Sequence, residues 1–188
     1  ETYHLTLSTI VWCFFIIVFG YLAGKYNIHW LWGTSVMIAL QYITDLFDGA
    51  VGRYRNTGLI HWGYYMDHFL DYIFLCSILI GYSFIFTDRF NTIFFILVSY
   101  GAFMVNSYLS FSATNEFRIA YFKIGPTEIR LAFIITNILI IFSHDKVPLS
   151  RLLPIIFFLS LIGLTAVVYS TQKILWQKDM EEKNKRSP

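Results

Sequence analysis

Charge is what this chain has least of. Of its 188 residues only 14% are Asp, Glu, Lys or Arg, against 56% hydrophobic and 20% aromatic. A soluble domain of this length needs a far more polar surface, so the composition excludes one and indicates an integral membrane protein. Cysteine is nearly absent: Cys13 and Cys76 lie far apart inside apolar runs, without metal-ligand spacing, and read as small core residues. There is no Pro/Gly/Ser-rich linker, so residues 1–188 form one domain, with a charged, solvated tail from about Lys178 to Pro188. No strand pattern and no fixed-period repeat stands out. The chain starts at Glu1 rather than Met, which leaves room for an upstream piece, and it carries no recognisable cleavable signal. A net charge of +2 without a basic–aromatic stripe gives no reason to expect a nucleic-acid partner.

What is present is a series of apolar segments near the roughly 20 residues that a bilayer requires. They run from about Leu5 to Gly24, from Trp30 through Leu40 into the first aspartates, and from Leu59 to Phe86. Three more follow, from about Thr92 to Phe111, Pro126 to Ser143 and Leu152 to Leu175. The expected fold class is therefore all-α, a polytopic membrane protein with six transmembrane helices. Gly20 and Gly24 form a GxxxG pair, read here as small-residue tolerance in preference to a packing notch. If the connection after the first aspartates lies on one side, ten of the fourteen Lys and Arg residues share it, and the other side holds four. Basic residues collect on the cytoplasmic side. The carboxylates and both termini are accordingly expected there.

Against this apolar background stand Asp45 and Asp48, three apart, and Asp67 and Asp71, four apart. On helices each pair falls on one face. Carboxylates within membrane segments are costly and mark function by default. Four of them converging would repel one another, and one or two hard divalent cations are the simplest neutraliser. Gly49 and Gly52 continue the stripe of the first pair, and Gly63 stands four before Asp67. These glycines clear space for a flat or phosphorylated group to approach the backbone. Arg53, one turn past Gly49, suits a phosphate oxygen. Divalent metal, small walls and an arginine together suggest a diphosphate ligand.

The pattern Asp45-x2-Asp48-Gly49-x2-Gly52-Arg53-x9-Gly63-x3-Asp67-x3-Asp71 resembles the signature of the CDP-alcohol phosphotransferase family. It departs from it only where Gly52 replaces the usual alanine, a change that opens space. The resemblance implies a CDP-linked donor, either CDP-diacylglycerol or a CDP-amino alcohol, an acceptor hydroxyl, release of CMP and dependence on two Mg²⁺ or Mn²⁺ ions. It further implies Asp45, Asp48, Asp67 and Asp71 as metal ligands, Asp71 as the usual candidate base, and a homodimer, since members commonly dimerise. The family often carries a Pro-Asn-x-x-Thr stretch before its first helix. This chain has only His4-Leu5-Thr6-Leu7 there, so a nucleotide contact from that region lacks support.

His68, directly after Asp67, and Gly125-Pro126-Thr127-Glu128 look like elements of the eukaryotic choline/ethanolamine phosphotransferases. A histidine so placed suits proton transfer near neutral pH, and Glu128 would orient it. The alternative is an interfacial histidine and an ordinary helix start, with Pro early and Glu favoured by the dipole. Arg118, Lys123 and Arg130 line an acceptor pocket or anchor lipid headgroups, the anchor being preferred. Two other classes compete with the enzyme. A cation transporter or channel would use the same carboxylates but leaves the glycines and Arg53 unexplained. A structural subunit would need partner charges on another chain.

Overall fold

A computed structural model describes residues 2–55, 60–86, 91–114, 125–143 and 151–186. It contains six α-helices: α1 (Thr2–Lys25), α2 (Leu31–Arg55), α3 (Ile60–Ser83), α4 (Thr92–Thr114), α5 (Pro126–Ser143) and α6 (Leu153–Arg186). Among the described residues there is no strand. A 3₁₀ turn at Ile28–Trp30 joins α1 to α2, capped by the Asn27 side chain, which accepts from the His29 N–H at 2.9 Å.

Helix α1 is the axis of the packing. It lies against both α2 and α3, which make little direct contact with one another, while α5 packs on α2, α4 on α3, and α6 on α4. Ile16 of α1, Leu31 and Ile38 of α2, Ile78 of α3 and Ile141 of α5 are almost wholly enclosed and form the centre of the core. The α1–α3 crossing depends on glycine. A Cβ on Gly20 would stand 2.5 Å from the Gly81 Cα, and one on Gly24 would collide with the Phe84 carbonyl. The pair is therefore a packing notch, contrary to the sequence reading, because two backbones approach where no side chain fits.

Large apolar side chains cover much of the outer surface of the helices, Phe14 61% and Phe142 69% exposed among them. Such a surface belongs in lipid. Helices α1, α4, α5 and α6 are long and apolar enough to cross a membrane. The 25 and 24 residues of α2 and α3 give them the length, but the carboxylates dilute their apolar character. The all-α membrane architecture thus holds, with the expected six crossings supported by apolarity for four helices and by length for two.

Helix α6 differs from expectation: it continues through the charged tail to Arg186, 34 residues in all. Lys178–Lys185 contains good helix formers, no Gly or Pro, and Asp179/Lys183 and Glu181/Lys185 at helical spacing. At 1.5 Å per residue the helix reaches about 51 Å, beyond the roughly 30 Å of hydrocarbon, so its final turns stand in water.

Candidate active site

The late turns of α2 and the early turns of α3 bring their carboxylates to one level of the bundle. Asp45, Asp48, Asp67 and Asp71 all line a single cavity of about 10 Å³, room for roughly one water-sized body. Thr6 and Thr9 of α1, Gln41 of α2 and Leu70 of α3 complete its wall. It is therefore a three-helix site, not the pair of facing helices that spacing alone suggests, because α1 packs on both.

Each carboxylate is held differently. Thr6 Oγ1 donates to Asp48 Oδ2 at 2.6 Å. Asp67 lies within hydrogen-bonding reach of Asp45. Arg130, 5% exposed on the second turn of α5, donates through Nη2 to Asp71 Oδ1 at 2.9 Å and pairs with Asp45 Oδ2 at 3.1 Å. The rings of Tyr42 and Phe74 stand 5.8 and 5.6 Å from its guanidinium carbon. Nearby, Trp12 Nε1 donates to Thr44 Oγ1 at 3.2 Å, fastening α1 to α2 beside the site.

Two features mark the polar cavity as incomplete. Four carboxylates face one guanidinium, so when ionised they leave three negative charges unbalanced. In addition, the buried Gln41 Oε1, on a residue only 1% exposed, has no hydrogen-bond partner among the described residues. A buried acceptor without a partner is costly and calls for an explanation. No three His, Cys, Asp or Glu side chains among the described residues converge at ligand distances, and Arg130 and Thr6 contact three of the four carboxylates.

A second cavity, about 340 Å³, adjoins the first and shares Asp71 with it. His68 and Arg130 also line it, beside apolar residues of α3, α4, α5 and α6. His68 Nδ1 lies 3.5 Å from Asp67 Oδ2, its ring meets Tyr64 edge-on at 4.5 Å, and Tyr108 donates its hydroxyl to the His68 carbonyl at 3.3 Å.

The remaining sequence candidates lie further out. Gly63 faces open space, where an added Cβ would meet nothing within 4 Å. Gly49 is exposed and Gly52 half-buried on the last turns of α2, and neither lines the two cavities. Arg53 belongs to the same helix end, but its side chain is outside the described residues, as are Arg118 and Lys123. Glu128 is exposed and accepts from the Gly125 N–H at 2.8 Å, the reciprocal bond of a helix start. It lines neither cavity, so the described contacts tie it to the cap and not to His68.

Arg130 is the main correction. Sequence spacing favours a headgroup anchor, yet the side chain is buried and ion-paired. The signal was its position inside an apolar span, where a cation needs a partner. Thr6 likewise reaches the site although the family's usual stretch around it is missing.

No curated protein and no solved structure matches the chain. The sequence model of one family, described as CDP-alcohol phosphatidyltransferase, matches residues 3–175, which takes in every helix that contributes to both cavities. The match spans the carboxylate-bearing α2 and α3 and most of the six-helix frame: the chain belongs to the CDP-alcohol phosphatidyltransferase family.

Proposed function

We propose that the protein moves a substituted phosphate group from a CDP-linked donor to an acceptor hydroxyl, with release of CMP, at the cytoplasmic face of its membrane. Family membership carries the class of reaction, transfer in phospholipid synthesis. The observation that carries the site is the single cavity lined by Asp45, Asp48, Asp67 and Asp71. The cytoplasmic placement rests on the ten-to-four division of basic residues.

The donor set fits a hard divalent cation such as Mg²⁺ or Mn²⁺. It is all oxygen, would carry three uncompensated charges with all four carboxylates ionised, and includes the orphaned Gln41 Oε1. Asp45, Asp48, Asp67 and Asp71 would hold the ions, which when bound supply charge neutralisation to the diphosphate. The carboxylates now paired with Arg130 and Thr6 would exchange those partners for metal. Until an ion binds, Thr6 and Arg130 keep Asp48, Asp45 and Asp71 at the cavity.

Asp71 is the group common to both cavities, which suits it to take the proton of the acceptor hydroxyl as that oxygen bonds to phosphorus. The bond from phosphorus to the CMP oxygen then breaks, and the electron pair leaves with CMP. His68 is the competing base; it faces the larger cavity only. The test is CMP release by purified protein in liposomes supplied with a CDP-linked donor and an alcohol, with EDTA and with Mg²⁺ restored. Release that requires the ion agrees with the reading. Cation flux without CMP release contradicts it.

A further inference from the structure

We propose that Asn137, midway along α5, is a positioning residue: it fixes the register of α5 so that the Arg130 guanidinium meets both Asp45 and Asp71, and it thereby controls how readily an ion enters the carboxylate cavity. This rests on the cation-holding reading above and adds a control on that same site.

The inner face of α5 is a single stripe. Arg130, Ile134, Asn137 and Ile141 follow one another at helical spacing. Ile141 lies in the core at 2% exposed, and Ile134 packs against it. Asn137 is wholly enclosed, and both ends of its amide are in use. Nδ2 donates to Ser35 Oγ of α2 at 3.0 Å, and Oδ1 accepts from the Tyr82 hydroxyl of α3 at 2.8 Å. Two turns nearer the carboxylates, Arg130 repeats the arrangement with charge. Its Nη2 pairs with Asp45 of α2 at 3.1 Å and donates to Asp71 of α3 at 2.9 Å. One helix thus carries two side chains that each bridge the same two neighbours.

These side chains matter because the backbone of α5 lies against α2 but stands off from α3 among the described residues. Arg130, Asn137 and the Phe133 ring, 6.2 Å from that of Tyr82, span the distance. Single hydrogen bonds between membrane helices are weak, so Asn137 supplies register more than strength, as a lone buried asparagine does in a coiled coil. Sliding α5 by one turn, about 5.4 Å, would set an isoleucine against Ser35 and Tyr82 and remove the amide that they share. Buried polar groups left unpaired disfavour that slide. The same slide would draw Arg130 away from its carboxylates.

Register bears on function through competition. An ion entering the carboxylates must displace Arg130 from Asp45 and Asp71. Ion binding and Arg130 pairing are therefore linked, and each weakens the other by the same factor. A change that withdraws Arg130 should strengthen ion binding, whereas a change that only loosens packing should not.

The experiment is calorimetric titration of Mn²⁺ into the purified full chain in detergent, for the native protein, Arg130→Met, Asn137→Leu and the double variant. Arg130→Met should tighten Mn²⁺ binding about tenfold, a factor usual for coupled sites. Asn137→Leu should tighten it about threefold, and the double variant no further than Arg130→Met alone, because one residue acts through the other. Should Asn137→Leu fail to fold, Tyr82→Phe and Ser35→Ala each remove half of the bridge and should each tighten binding by about twofold. A lower Tm with native Mn²⁺ affinity would show a packing role alone and would overturn the inference. Weaker binding, or effects that multiply in the double variant, would overturn it as well. All three of these results leave the cation reading standing, whereas no binding by the native protein overturns both.

Discussion

The two cavities that meet at Asp71 are built on opposite principles. The smaller, between α1, α2 and α3, has room for about one water-sized body and is walled by four carboxylates, two threonines and a glutamine. The larger, between α3, α4, α5 and α6, is over thirty times as roomy and mostly apolar, with His68, Asp71, Arg130, Ser107 and Ser160 as its polar lining. The first is dense in charge because α1 packs on both acid-bearing helices; the second exists where the backbone of α5 stands off from α3, α4 and α6, although Arg130 and Asn137 still reach Asp71 and Tyr82 of α3. Carboxylates thus gather on one side of α3 and apolar side chains on the other.

If the polar cavity does the chemistry, damage to it should be far more severe than damage elsewhere. Asp45→Ala, Asp48→Ala or Asp67→Ala should lower CMP release by about 10³-fold or more, while circular dichroism remains helical, because each removes charge that the transition state requires. Near-native rates in any of them would break the comparison. Asp71→Asn and His68→Ala sharpen it, since only one of these groups takes the proton. The true base should cost about 10²–10⁴-fold in kcat and the other under tenfold. Asp71 is favoured by its place in both cavities.

Arg130→Met comes next, with an effect on folding as well as rate. Removing one partner of a mostly buried pair leaves Asp45 and Asp71 uncompensated, on the order of 3 kcal/mol, readable as a lower Tm in detergent. Gly20→Ala, at the far end of α1 from the carboxylates, should destabilise the α1–α3 crossing by about 1–3 kcal/mol while leaving KM for the donor unchanged. Glu128→Gln should be smallest, about 0.5–1 kcal/mol of helix-start stability with activity within a factor of two or three, because its carboxylate serves the Gly125 N–H.

How much of this the bare sequence discloses follows from how local each feature is. The acid pairs, their helices and the start of α5 at Pro126 are legible because each depends on spacing within one turn or two. Arg130 was misjudged because its partners lie 59 and 85 positions away, and no local spacing encodes that approach. The Gly20–Gly81 crossing was missed for the same reason: a GxxxG pair shows that backbones are able to meet, not which ones do. Gln41 carried no signal at all, since a glutamine near a helix centre becomes informative only once its oxygen is seen buried without a partner. The larger cavity is a property of how α5 stands relative to three other helices, which periodicity does not determine.

The claim on which the account turns is that aspartates of α2 and α3 act as one cation-holding unit. Binding of Mn²⁺ to the purified protein, followed by electron paramagnetic resonance, tests it without relying on turnover. The account predicts saturable binding by the native protein, weakened at least about tenfold by Asn at position 45, 48, 67 or 71. Equal binding by the native protein and all four variants would contradict it.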